Sequence, residues 1–202
     1  MNKNQFIRYV QQECALKKVP VYIRDAASVD VEGSPCSGYF DPEGPKGAEI
    51  AVARRAPLFF KTIVHEFSHF IQWRDQTPAW VKADVVTDEI DRWLAGKNIP
   101  HINAMIDRVK YMELEAERIA VGLVKQLHLP INIGIYTKQA NAYVAYHNWL
   151  KMTRKWLPPH RAAYINKTIL AVCSDKFNMN HKKLNNKMLK AFRKAYPNDI
   201  CL

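Results

Sequence analysis

The chain has 202 residues, of which 48% are hydrophobic, and it can therefore bury one sizeable core without disulfides. The four cysteines are far apart and form no C-x-x-C pair, which excludes a disulfide framework and a cysteine zinc knuckle and predicts reduced thiols. They are Cys14, Cys36, Cys173 and Cys201. The first residues lack a signal-peptide pattern, and no apolar stretch is long enough for a membrane span, so we expect a cytoplasmic protein without a membrane partner.

The net charge of +11 is unevenly distributed. Residues 1–117 contain 15 basic and 17 acidic residues, whereas residues 118–202 contain 15 basic residues and only Asp175 and Asp199. Such asymmetry predicts an anionic partner, which could be a nucleic acid, an acidic protein or a membrane surface, for the basic C-terminal half. No motif that reads DNA or RNA accompanies the charge, so a solvated basic face is the alternative.

The first elements in the chain are short. Apolar residues at helical spacing predict a helix over residues 4–17, which ends before Pro20. Two β-prone runs follow, at residues 19–23 and 48–53, and the segment between Gly33 and Gly47 is rich in Gly, Pro and Ser. We expect that segment to be a loop that could contact a ligand. We expect residues 48–53 to form an edge strand to which a peptide could add.

The rest of the sequence is predicted to be helical. The stretch after Pro57 is apolar on nearly every side, which is typical of a buried central helix. The apolar spacing predicts further helices over residues 77–97, 102–127, 136–149, 161–172 and 182–195. Pro158 and Pro159 break the chain, so we predict a main domain over residues 1–157 and a basic helical part over residues 158–202.

A metal-binding pattern lies in the apolar central helix. Its sequence, His65-Glu66-Phe67-Ser68-His69, matches HExxH. Residues i and i+4 share one face of a helix, so both imidazoles can reach the same ion. Two imidazoles and a carboxylate suit Zn²⁺ with an open coordination position, and Glu66 is then the expected base for the water that attacks the substrate.

The third ligand is predicted on the helix at residues 102–127. Glu113 is about 50° from the centre of its apolar stripe, closer than Glu115 and Glu117. Glu113 is therefore the expected ligand, and Glu117, one turn further on, is expected to bind the outer nitrogen of a ligand histidine. Glu117 as the ligand stays open at this point. So do three histidines elsewhere in the chain, His101, His128 and His147.

The two motifs together resemble those of a known group. The HExxH sequence, followed on a later helix by Glu113-Leu114-Glu115-Ala116-Glu117, is similar to the minimal gluzincin pattern of HExxH and E-x-x-A-[DN]. That pattern is found in ImmA/IrrE-type metallopeptidases and in small metallopeptidase-like proteins of bacteriophages. The resemblance covers approximately residues 45–130, and it departs from the pattern at Glu117, where Asp or Asn is commoner. It implies a zincin-like α+β fold with a short mixed sheet, and a zinc ion held by His65, His69 and Glu113.

The sequence thus predicts a zinc metalloendopeptidase that cleaves a protein or peptide substrate. Peptide hydrolysis also needs a donor for the oxyanion of the tetrahedral intermediate, and Tyr143, Tyr146 and His147 are the candidates because they cluster on one segment. The alternative is a basic regulatory protein that binds nucleic acid and uses its metal only for structure.

Overall fold

The computed structural model describes residues 1–31, 33–44 and 46–199. This part of the chain contains eight α-helices and two small β-sheets, which confirms the predicted class, a mostly helical α+β fold. It divides into two compact units, one of residues 1–76 and 116–132, the other of residues 77–115 and 133–199. The thiols of Cys14, Cys36 and Cys173 are free, whereas Cys201 lies outside the described residues.

Helices α1 (Lys3–Ala15) and α2 (Phe59–Asp75) belong to the first unit, together with residues 116–126 of α5 (Ile102–Gln126). The first helix begins with a capping box, in which the side chains of Asn2 and Gln5 each accept from the other residue's backbone N–H. The second ends at Gln76, which adopts a left-handed conformation with φ of 49°. The start of α1 and the end of α2 are therefore close to the positions that the sequence predicts.

The main sheet of the first unit has three strands, in the order β1 (Val21–Arg24), β5 (Glu49–Ala53), β4 (Gly38–Asp41). The strand β1 is parallel to β5, and β4 is antiparallel to it. Strands β2 (Val29–Val31) and β3 (Ser34–Cys36) form a separate antiparallel pair. The sheet is therefore mixed and short, as the family resemblance implies.

Two expectations for this region are wrong. Residues 48–53 do not form an edge strand, because β5 pairs on both sides and is the central strand. Its last four residues are all buried, as expected for a strand covered on both faces. The segment between Gly33 and Gly47 is not a simple loop, since it contains β3 and the edge strand β4.

A close approach between strand and helix explains one glycine. A Cβ atom on Gly38 of β4 would lie 2.7 Å from Cγ2 of Thr62 and 3.1 Å from the carbonyl oxygen of Ala51. Glycine thus allows β4 to pack directly against α2, at a point one turn before the HExxH motif. The same helix buries Phe67 and Phe70 against the aromatic core, with ring centroids 5.6 Å apart.

The second unit is helical in its described residues. Its helices are α3 (Pro78–Asp84), α4 (Thr87–Leu94), residues 102–115 of α5, α6 (Ile133–Thr153), α7 (Lys167–Leu170) and α8 (Asn186–Ala195). The predicted helix over residues 77–97 is in fact two helices, α3 and α4. Thr77 caps the start of α3, and the β-branched pair Val85 and Val86 separates α3 from α4. The core of the unit surrounds Trp149, whose ring stacks on Phe192 at 5.5 Å.

The chain between residues 161 and 172 is less regular than predicted. Two 3₁₀ turns, Pro159–Arg161 and Ala163–Ile165, precede the single turn of α7. The predicted helix over residues 161–172 is interrupted because the backbone of Ala162 is extended. Helix α7 then begins after Asn166, whose side chain accepts hydrogen bonds from the backbone N–H groups of Thr168 and Ile169. These residues pack within the second unit, and the domain boundary at residue 158 stays a prediction. No helix in the described ranges has the length and apolar character of a membrane span.

Candidate metal centre

Helix α2 places the HExxH residues in the interior of the protein. Glu66 is 6% exposed and His69 7% exposed, whereas His65 is partly exposed. The buried apolar residues of the helix pack in the core of the first unit, which fixes the orientation of these side chains. Buried histidines and carboxylates require compensating partners, since their desolvation costs several kcal/mol, on the order of 2–7 for a single polar group.

The two imidazole rings face each other through the same nitrogen. Nε2 of His65 and Nε2 of His69 are 3.2 Å apart, and the ring planes are nearly perpendicular. In a tetrahedral zinc site with Zn–N distances of about 2.0–2.1 Å, two nitrogen ligands lie about 3.3 Å apart. The separation of the two rings therefore fits a shared zinc ion.

The outer nitrogen of each ring lies close to an oxygen atom of another side chain. Nδ1 of His69 lies 2.9 Å from Oε1 of Gln72, and Nδ1 of His65 lies 3.3 Å from Oε1 of Glu117. Both arrangements favour a proton on Nδ1, which leaves a lone pair on Nε2 of each ring. Two lone pairs that face each other at 3.2 Å repel unless a proton or a cation lies between them. The pair is thus set up to bind a cation.

Glu113 completes a group of three donors. Among the described residues, ligand atoms of His65, His69 and Glu113 all lie within 4.8 Å of one another, and the group could hold a metal ion. Glu113 is 7% exposed, on the buried side of α5, as its position relative to the apolar stripe predicts. Two imidazoles and one carboxylate form the donor set that binds zinc in many hydrolases, so these residues fit the ion.

The other two glutamates of α5 have different surroundings. Glu117, one turn after Glu113, is also 7% exposed and lies beside His65, where the sequence predicts an outer partner for a ligand histidine. Glu115 is half-buried and accepts a hydrogen bond from the hydroxyl of Thr77. The structure therefore brings Glu113 and Glu117 to two distinct positions relative to the histidines.

Glu66 lies near a thiol that the sequence analysis does not assign to the site. Burial, and secondarily the negative charge of Glu66, raises the pKa of Cys36 to about 11. The thiol of Cys36, at the end of β3, is consequently protonated at neutral pH.

The two tyrosines on α6 that the sequence offers as oxyanion donors have different surroundings. The hydroxyl of Tyr146 donates a hydrogen bond to the carbonyl oxygen of Lys155, and burial raises its pKa. A role for Tyr146 in the reaction would require that hydrogen bond to break. Tyr143 is half-buried, and its ring makes edge contacts with His147 at 5.3 Å and Tyr164 at 6.0 Å.

The histidine of α6, His147, is deeply buried. It is 1% exposed, Nδ1 lies 3.2 Å from the carbonyl oxygen of Tyr143, and Nε2 has no hydrogen-bond partner among the described residues. Desolvation lowers the pKa of His147, while the nearby carboxylate of Glu113 raises it by a smaller amount. The ring is therefore neutral at pH 7. His101 and His128, the other alternative ligands, are exposed.

A charged network surrounds Lys110, one turn before Glu113. Lys110 is fully buried and donates to the carboxylate of Asp107 and to Oδ1 of Asn148, and Lys151 lies 2.6 Å from the same carboxylate. Desolvation lowers the pKa of Lys110, and the interactions with Asp107 oppose this. The network fixes the N-terminal half of α5, which carries Glu113, in the core of the second unit.

Sequence reasoning misses Gln72 and Cys36. Gln72 follows His69 by three residues on the same helical face and is fully buried, so its spacing alone could have identified it as a partner of that ring. Cys36 could not be found, because its position depends on how β3 and α2 pack. Comparison of the chain with protein-family models, curated proteins and solved structures finds no match.

Proposed function

We propose that the chain is a zinc-dependent metallopeptidase whose site consists of His65, His69 and Glu113 as ligands and Glu66 as general base. The observation that supports this most strongly is the 3.2 Å separation of two Nε2 atoms whose outer nitrogens face acceptors. A zinc ion bound there would polarise the carbonyl of a scissile amide and acidify water. The HExxH sequence distinguishes a peptidase from other uses of the same donors.

Glu66 is the proposed general base. It follows His65 directly in α2, is buried, and does not belong to the three-donor group, so the proposal assigns its carboxylate to proton transfer and not to metal binding. In the proposed reaction Glu66 accepts a proton from the attacking water and later delivers it to the nitrogen of the leaving amine. The low exposure of the site favours this transfer, since burial strengthens electrostatic interactions.

Strand β4 is the proposed binding edge for an extended substrate. Among the described strands β4 pairs only with β5, so it is an edge strand of the sheet, and edge strands are where an extended peptide can add. Gly38 places the strand directly on α2, one turn before His65. The expected role of an edge strand thus moves from residues 48–53 to residues 38–41.

The test is cleavage of a proteome-derived peptide library by the zinc-loaded protein, with new termini identified by mass spectrometry. Wild type should cleave a reproducible set of sites. Glu66→Gln should retain zinc and lose at least about 10²-fold in rate, because general-base catalysis contributes about 10²–10⁴-fold. Glu115→Gln is the matched control, since Glu115 lies outside the donor group. Undiminished cleavage by Glu66→Gln would remove Glu66 from the mechanism.

A further inference from the structure

The exposed residues of α8 are basic apart from Asn186, and two exposed lysines precede the helix. Between residues 182 and 194 all six basic side chains are exposed, and none of them forms an ion pair with a described residue. They are Lys182, Lys183, Lys187, Lys190, Arg193 and Lys194. The segment from 176 to 198 contains no acidic residue. The positive charge of this surface is therefore not neutralised within the second unit.

The nearest acidic residue along the chain is already paired. Asp199 is 5% exposed, and its carboxylate lies 2.6 Å from Arg161 and 3.4 Å from Lys155. The carboxylate of Asp199 is thus paired with two cations outside α8, and it does not neutralise the basic residues of α8. Six of the 15 basic residues in the range 118–202 lie on this surface.

The basic residues of α8 form a row. Lys187, Lys190 and Lys194 are spaced by three and four residues, so they lie on one face of the helix and extend about 10 Å along its axis. Phosphates of one DNA strand follow each other at about 3.4 Å along the duplex axis, so this row spans about three of them. A regular line of lysines matches a regular line of phosphates.

The opposite face of α8 cannot insert into a membrane. Met188, Ala191 and Phe192 are buried in the core of the second unit, and Phe192 stacks on Trp149. An amphipathic helix that binds a lipid surface uses its apolar face for that purpose, and here that face is already occupied. The exposed face also carries no aromatic side chain on which the bases of a single strand could stack.

An open cleft extends the basic surface beyond the C-terminal end of α8. It has a volume of about 310 Å³, and Ala195 and Tyr196 line it together with His160, Arg161 and Lys167. Cations thus continue from the helix towards the 3₁₀ turn Pro159–Arg161 and α7. We propose that the exposed face of α8 docks on the phosphate backbone of double-stranded DNA, independently of base sequence.

The experiment measures binding of the full chain to a fluorescein-labelled DNA duplex of about two helical turns by fluorescence anisotropy. Wild type should bind at about 50 mM salt and weaken steeply by about 200 mM. Combined replacement of Lys187, Lys190 and Lys194 by Gln should weaken binding at least about 10-fold and reduce the salt slope by about 3. Replacement of the same three residues by Arg should retain binding, which controls for folding.

The charge-matched control replaces Lys17, Lys18 and Lys46 by Gln, three exposed residues of the first unit. This variant should bind the duplex within about 2-fold of wild type, because it changes the net charge without touching α8. Equal losses in both triple variants would overturn the proposal, as would the absence of duplex binding at low salt. Binding to phosphatidylserine vesicles but not to the duplex would also overturn it. Glu66→Gln should bind DNA like wild type, so this result is independent of the peptidase activity.

Discussion

The carboxylate of Glu117 lies 3.3 Å from Nδ1 of His65 and favours the tautomer whose other nitrogen faces His69. Gln72 has the same relation to His69, at 2.9 Å. Each histidine of the candidate site therefore has an oxygen atom of another side chain beside its Nδ1, one from α5 and one from α2. The metal affinity of the site should depend on these two side chains as well as on the ligands.

Replacement of either partner should weaken zinc binding without removing a ligand. We expect Glu117→Gln and Gln72→Leu each to raise the dissociation constant for zinc about 10-fold or more, because the ring is no longer held in the tautomer that binds metal. Competition with a chromophoric chelator measures this constant. Wild-type affinity in both variants would show that neither side chain orients its histidine.

Glu113 should matter more than its neighbour on the same helix. Glu113→Ala removes one of the three donors, and we expect a loss in zinc affinity of more than about 100-fold, beyond that of an outer partner. Glu115→Ala removes a carboxylate that accepts from Thr77 and should bind zinc within about 3-fold of wild type. Metal analysis of both purified variants beside His69→Ala separates the alternatives. If Glu115→Ala loses the metal and Glu113→Ala retains it, the assignment of the third ligand is wrong.

The sequence predicts those parts of the site that depend on helical spacing. The HExxH residues lie within α2, and Glu113 is buried on α5, as the helical spacing of the apolar residues predicts. Glu117 is equally buried, although it lies further than Glu113 from the centre of the apolar stripe. Contacts between distant segments are different. The central position of β5, the packing of Gly38 on Thr62 and the proximity of Cys36 to Glu66 depend on the pairing of short strands, which local patterns do not specify.

The same distinction explains the errors among the helices. The break between α3 and α4 and the irregular chain before α7 arise from single residues, among them Ala162 and Asn166, whose backbone conformation interrupts an otherwise helical pattern. Such interruptions hardly change the spacing of the apolar residues, so they are hard to detect in a sequence. The helices α5 and α6 are long, and the apolar spacing persists over many turns. Their ends are therefore predicted within a few residues.

Gly38→Ala should destabilise the first unit. The added methyl group would meet Cγ2 of Thr62 at 2.7 Å, so β4 or α2 must shift, and we expect a decrease of about 1–3 kcal/mol in the free energy of unfolding. Thr62→Ser removes the methyl group concerned and should recover part of this loss in the double variant. Urea denaturation of the wild type, both single variants and the double variant gives the coupling. Additive effects would show that the two residues are not in contact.

The stability of the second unit should decrease in mild acid because of His147. Burial lowers the pKa of this ring in the folded state, so the unfolded state binds more protons once the pH falls to about 6.5. The free energy of unfolding should therefore fall between about pH 7.5 and 5.5. The charge of Glu113 favours protonation and that of Lys110 opposes it, but desolvation dominates. His147→Gln and His147→Leu lack the titrating group, and both should show a shallower pH dependence than wild type in urea denaturation with a chelator present. If both variants retain the wild-type slope, another group causes the loss of stability in acid.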